Sequence, residues 1–144
     1  MIFLEKPTDF ASKMIVVSCF LEVAGKILLL HRQNHKPQGN TWGVPAGKVD
    51  AGEDVKAAMI REIGEEIGVC LILSDLSLFR SVYVRYPEYD FEYVMHQCKL
   101  ARRPAITLET KEHKNYRWVT PRKALSMNLI PDEDACIKLV YTIK

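Results

Sequence analysis

A chain of 144 residues with 48% apolar content can bury one sizeable core and is too short for two ordinary domains, so a single domain over residues 1–144 is expected. Its formal net charge of +2 excludes the broad basic field of a dedicated nucleic-acid binder, while allowing a local basic cleft that holds phosphates. Cys19, Cys70, Cys98 and Cys136 are scattered without a CxxC pair, which reads as reduced thiols and a cytoplasmic location.

Residues 14–30 form the longest apolar stretch, but Glu22, Gly25 and Lys26 interrupt it, so two strands joined around Ala24 and Gly25 are expected instead of a membrane span. The first residues lack the charged segment and cleavage pattern of a signal peptide. His31 and His35 lie at a strand end and in a loop, not on a helix, and do not read as a zinc pair. Gly47 and Gly52 bracket a turn-rich segment. After it, Asp54 is placed to cap a helix whose apolar stripe is Val55, Ala58, Met59 and Ile63 and whose stop is Gly68. Gly64 inside that helix costs about 1 kcal/mol relative to Ala, which only buried packing or function would offset.

Residues 76–86 and 91–100, rich in β-branched and aromatic side chains, predict a hairpin that turns around Pro87 and Asp90. Residues 116–119 predict a short strand. Pro121 opens a short helix over 122–127 and Pro131 a second from 132 to about 140. Asp132 reads as the N-cap of that last helix, with contact to a base edge as the alternative role. Tyr83, Tyr86 and Tyr93 read as sheet packing, with base stacking as the alternative. No repeat or linker divides the chain. Mixed strands with a central helix and terminal helices imply an α/β or α+β layered domain.

The central helix carries the chemistry. Glu62, Glu65 and Glu66 are related by i+3 and i+4 and crowd one helical face, where each like-charge pair costs about 0.2–0.5 kcal/mol. A hard divalent cation would reverse that repulsion, and oxygen-only ligands point to Mg²⁺ or Mn²⁺ rather than zinc. Glu62 and Glu66, one turn apart, are the leading ligands, and Glu65 is a further ligand or the base that deprotonates water.

The stretch GKVDAGEDVKAAMIREIGEEIGV, residues 47–69, resembles the Nudix box, G-x5-E-x7-R-E-U-x-E-E-x-G-U with U aliphatic. Gly47, Glu53, Arg61, Glu62, Ile63, Glu65, Glu66, Gly68 and Val69 fill every fixed position. Trp42-Gly43-Val44-Pro45-Ala46 resembles the approach to the box, and Tyr116-Arg117-Trp118-Val119 a later family strand. Ala46 departs from the second glycine that many members carry there. The resemblance implies an α/β/α sandwich around a mixed β-sheet and Mg²⁺-dependent hydrolysis of a phosphate anhydride in a nucleoside diphosphate linked to another group.

The same resemblance assigns the backbone carbonyl of Ala46 to the metal and makes Glu53 and Arg61 a pair that orients the catalytic helix. Glu112, or its neighbour Glu109, would be a late-loop carboxylate that completes the site. Arg32 and Lys48 would be phosphate-binding cations. The expected partner is a small nucleotide, with no stable nucleic-acid complex and no membrane, and a homodimer is compatible with the family. The loop from Arg32 to Trp42 somewhat resembles nucleotide-sugar hydrolases. The intact box equally suits a MutT-like nucleoside triphosphate pyrophosphohydrolase, which is slightly favoured. A nucleotide-sensing module without turnover is the alternative from another class, although such modules commonly lose a box glutamate. An isomerase on the same fold is a third option, for which the chain offers no catalytic cysteine.

Overall fold

The computed structural model describes residues 1–144. Three layers form around an eight-stranded sheet in which β1 (Ile2–Phe3), β6 (Ser77–Arg85), β7 (Asp90–Leu100), β2 (Ser12–Val23), β3 (Lys26–Arg32) and β4 (Trp42–Gly43) lie side by side in that order, with β5 (Ala46–Lys48) on β2 and β8 (His113–Val119) on β3. Strands β2 (Ser12–Val23) and β3 (Lys26–Arg32) make the expected hairpin through Ala24 and Gly25, and β6 (Ser77–Arg85) and β7 (Asp90–Leu100) make the second. β2 runs parallel to β7 along most of its length, so the sheet is mixed. β1 (Ile2–Phe3), which the pattern of apolar residues did not announce, extends the sheet beyond β6.

Period-two alternation sends each central strand's side chains to two cores. Val17, Cys19, Leu21, Leu28 and Leu30 pack with Met59, Ile63 and Ile67 of α1 (Val55–Ile67). Phe20, Ile27 and Leu29 pack on the other side with Ala124 of α2 (Pro121–Ala124) and Cys136, Ile137 and Val140 of α3 (Glu133–Tyr141). Burying a side chain the size of Met59 or Ile63 contributes about 1.5–3 kcal/mol, which fixes α1 against the sheet. None of the four cysteines forms a disulfide. No helix is long and apolar enough to cross a membrane.

The site is made by a split in the sheet. β2 and β3 pair only at Glu22–Ile27 and Val23–Lys26, next to their turn, and then diverge. The other edges of these strands are taken by β7 and β8 (His113–Val119), so residues 42–48 fill the opening. There β4 (Trp42–Gly43) pairs with β3, β5 (Ala46–Lys48) pairs with β2, and the Cys19 amide donates to the Pro45 carbonyl at 3.0 Å.

Several element boundaries differ from expectation, those of β8, α2 and α3 among them. β8 starts at His113, three residues before the predicted strand, because Arg32 pairs with His113 across a register shift that leaves Lys114 unmatched. Such a bulge re-aims the flanking side chains. α2 stops at Ala124, with Ser126 and Met127 in a following turn. α3 begins one residue later than expected. Asp132 sits in the left-handed region at φ 71° and makes no side-chain cap, since this backbone turns its carboxylate away from the first helical amides. That carboxylate instead accepts from the Met1 amino group at 2.7 Å.

Candidate active site

Helix α1 is capped as its sequence predicts: Asp54 accepts from the Ala57 amide at 3.1 Å, and Gly68 ends the helix at φ 69°. The helix thereby presents Glu62 and Glu66 to β5. A side chain at Gly47 would collide with the Glu62 carboxyl, so this box glycine exists to let the backbone close on that glutamate. Ala46 donates its amide to Glu66 Oε1 at 3.1 Å, which aligns the carboxylate with the strand. Gly64 is exposed and a methyl group there would meet nothing within 4 Å, so packing does not require this glycine.

The three helix glutamates do not form one uniform acidic face. Glu66 is buried, Glu62 is nearly so, and Glu65 turns outward with 59% of its side chain exposed. Arg61 separates them: its Nη1 donates to Glu62 Oε1 at 2.9 Å and to Glu65 at 3.3 Å. Its Nε and Nη2 also grip Glu53 in a bidentate pair at 2.8 and 2.9 Å, while Nη2 reaches the Lys48 carbonyl at 3.0 Å. The guanidinium relieves the repulsion that the spacing alone implied, and no three acidic, histidine or cysteine side chains converge as a preformed cage. Hydrogen bonds from Arg61, then from the Asp50 amide, hold the Glu53 carboxyl down at about 2.

Burial, followed by the neighbouring Glu62 charge, pushes Glu66 well above the usual carboxylate range. Burial likewise raises Glu62. A buried carboxylate whose neighbours are further carboxylates fits a hard divalent cation: the donors are all oxygen, and a cation would relieve both burial and repulsion. His113 Nδ1 lies 3.8 Å from Glu66 Oε2 and has no other partner. It is not an ion pair, because burial and then Arg32 lower the imidazole to about 4 and keep it neutral.

Glu112 is ion-paired to Lys36 at 2.9 Å, which lowers its carboxyl, and its charge is among those that reach Glu66. Glu109 is engaged otherwise: its side chain accepts from the Lys111 amide at 3.1 Å and its own amide donates to the Glu66 carbonyl at 2.9 Å.

A cavity of about 220 Å³ opens beside Glu66. Its walls bring together Arg32, Ala46, Lys48 and Asp132 from the sequence-derived set, whereas Glu53, Arg61, Glu62, Glu65 and Glu112 stand outside its lining. Arg32 is anchored through Nε on the Pro37 carbonyl at 2.9 Å. Part of the lining is an aromatic cluster: Tyr86 meets Phe91 edge-on at 5.1 Å, Phe91 meets Tyr93 at 6.2 Å, and Tyr89 leans on both Tyr86 and Phe91. Tyr86 and Tyr93 thus line the cavity, while Tyr83 packs against Phe10 elsewhere.

Bonded to Tyr93 of this cluster is a residue that the sequence motifs did not single out. Glu133 is buried in the cavity wall, accepting from the Val44 amide at 2.9 Å on Oε1 and from the Tyr93 hydroxyl at 3.3 Å on Oε2. Burial pushes its carboxyl up to about 7 against the opposing Val44 hydrogen bond. The signal was present: Glu133 shares a helical stripe with Cys136, Ile137 and Val140, all buried, so its position at i−3, i−4 and i−7 placed it inward. His113, next to Glu112, was passed over for lack of any local signal, since only the bulge turns it inward.

Residues 12–140 match the NUDIX domain family. The CTP pyrophosphohydrolase of Escherichia coli (strain K12) is 30% identical over 122 residues, spanning 83% of this chain and 85% of that protein. Among solved structures, a MutT protein from Methanosarcina mazei Go1 superposes with a TM-score of 0.77 at 22% identity, covering 94% of this chain and 96% of that one. The NUDIX domain of Shewanella oneidensis NrtR, complexed with ADP ribose, superposes with a TM-score of 0.78 at 20% identity over 96% and 92% of the two chains.

Proposed function

Because this chain belongs to the NUDIX domain family, whose hydrolases cleave acid anhydrides, we propose that it is a Mg²⁺-dependent pyrophosphohydrolase of nucleoside triphosphates working in the cytoplasm. The observation that carries this reading is that one cavity is lined both by Arg32, Lys48 and Glu66 and by the aromatic cluster of Tyr86, Tyr89, Phe91 and Tyr93. A triphosphate fits such a lining, with its charge at one end and its base at the other. The resemblance of the chain to a CTP pyrophosphohydrolase supports it.

Glu62 and Glu66, with the Ala46 carbonyl, would hold the cation, and Glu112 would approach it from the late loop. When bound, the cation supplies charge neutralisation at the phosphate oxygens. Arg61 fixes Glu62 by its grip on Glu53, so the pair acts by orientation. Arg32 and Lys48 meet phosphate charge at the cavity rim, and the aromatic cluster excludes water from the base. A carboxylate, for which Glu65 is the exposed candidate, takes the proton of the attacking water. Water adds to phosphorus as the anhydride P–O bond breaks, which yields a nucleoside monophosphate and pyrophosphate.

A hydrolysis screen over nucleoside triphosphates, nucleotide sugars, dinucleoside polyphosphates and ADP-ribose tests the assignment. Release of monophosphate and pyrophosphate from a triphosphate with Mg²⁺, abolished by excess chelator, is expected. Full turnover in chelator, or turnover of ADP-ribose or nucleotide sugars alone, would refute it.

A further inference from the structure

We infer that His113 is a positioning residue for the cation site: when Glu66 holds a divalent cation, the His113 ring donates a hydrogen bond from Nδ1 to Glu66 Oε2. This rests on the reading that Glu66 holds the cation of a pyrophosphohydrolase. His113 is only 6% exposed, lines the cavity together with Glu66, and carries a buried Nδ1 with no hydrogen-bond partner. A buried polar atom in that condition lowers stability unless some state of the protein gives it a partner. Glu66 Oε2 stands 3.8 Å from it, beyond hydrogen-bond length but within reach of a small side-chain rotation.

The backbone holds these two side chains on one frame. The Glu109 amide donates to the Glu66 carbonyl at 2.9 Å and the His113 amide to the Glu109 carbonyl at 3.0 Å, so the loop that delivers His113 is tied to the helix that carries Glu66. The register shift between β3 and β8 at Arg32 and His113 then turns the ring inward. On the carboxylate, Oε1 accepts from the Ala46 amide at 3.1 Å, and the ring stands opposite Oε2. An Nδ1 without its hydrogen would set a lone pair against the carboxylate oxygen, so this placement favours the tautomer that carries the hydrogen on Nδ1. With one oxygen anchored from β5 and the other from β8, the carboxylate plane is fixed, and each oxygen keeps a lone pair for the cation. A hard cation prefers the oxygens of Glu62 and Glu66 to a ring nitrogen, which leaves the ring to act through Glu66.

Cation binding in the absence of substrate reads this contact without turnover, with Mn²⁺ alone as the probe and electron paramagnetic resonance as the measurement. His113→Leu, which fills the place of the ring but has no N–H, is expected to weaken Mn²⁺ binding by about tenfold or more, the usual range for losing a group that orients a metal ligand. His113→Asn, whose amide nitrogen falls near the place of Nδ1, is expected to stay within about threefold of the wild type. A role confined to packing would reverse that order, because leucine fills an apolar site better than asparagine. In wild-type protein with isotope-labelled histidine, nuclear magnetic resonance of the Mg²⁺ complex is expected to find the hydrogen on Nδ1 of His113; this measurement uses the unaltered chain and decides the matter if a variant does not fold. Unchanged affinity in His113→Leu, equal losses in both variants, a bare Nδ1 in the Mg²⁺ complex, or a nitrogen coupling that puts the ring directly on Mn²⁺ would each overturn the inference. Any of these found together with cation-dependent triphosphate hydrolysis would leave the proposed function standing, whereas a His113-dependent cation site in a protein that hydrolyses no triphosphate would sink the function and keep the inference.

Discussion

Glu66 is the residue on which the proposed chemistry rests: it is buried, raised well above the usual carboxylate range by that burial and by Glu62, and aligned by the Ala46 amide. Glu66→Gln keeps the shape and the acceptor for Ala46 while removing the charge. It should cost turnover on the order of 100-fold or more with no loss of thermal stability, and near-wild-type kcat would show that the cation sits elsewhere. Glu112 and Glu109 separate by the same logic. Glu112→Gln should lower kcat at unchanged Tm, whereas Glu109, whose carboxylate serves the Lys111 amide, should be kinetically silent as Gln; the opposite pattern would exchange their roles. Gly64 gives a stability counterpart. With no neighbour to meet a methyl group, Gly64→Ala should stabilise by about 1 kcal/mol in denaturant unfolding, and a destabilised variant would mean that the helix uses the glycine.

At the scale of elements, α1 is held at both ends by interactions that its sequence announces. Removing the Asp54 cap with Asp54→Ala should cost about 1 kcal/mol. Gly68→Ala should cost about 1–2 kcal/mol or more, because the left-handed turn disfavours a Cβ and Thr107 stands 3.2 Å from where it would be; equal stability of these variants and wild type would undo that account. These same residues explain why α1 was legible: caps, stripe and box are local, so spacing alone defines them. The two hairpins were legible for the same reason. The differing surroundings of Glu62, Glu65 and Glu66 were not, since they depend on where Arg61 reaches across to Glu53 and how closely Gly47 approaches. The inward turn of His113 follows from a β3–β8 bulge, and Asp132 loses its capping role to a left-handed backbone. Such outcomes are set by pairing between distant strands and by chain entry angles, which residue periodicity does not encode.

At the scale of the whole molecule, Glu133 ties three parts of the fold together: it stands on α3, takes the amide of Val44 from the segment between β4 and β5, and takes the hydroxyl of Tyr93 from β7. A carboxyl shared in this way makes stability depend on pH in a direction that can be stated. Its folded value of about 7 lies above the ordinary 4.5, so the folded protein binds this proton more tightly than the unfolded chain. The stabilisation is therefore fully present below about pH 4.5 and is lost as pH rises through about 7, by an amount on the order of 3 kcal/mol. Glu133→Gln cannot titrate there. Unfolding free energy measured for both proteins from about pH 4.5 to 8.5 should thus converge or cross, with the wild type losing its advantage as pH rises. Glu66 also carries a raised carboxyl, but both proteins retain it, and its contribution cancels in the difference. Curves that run parallel across this range would mean that the Glu133 carboxylate is ionised at no cost in the folded state, and that water or a cation reaches the wall on which it stands.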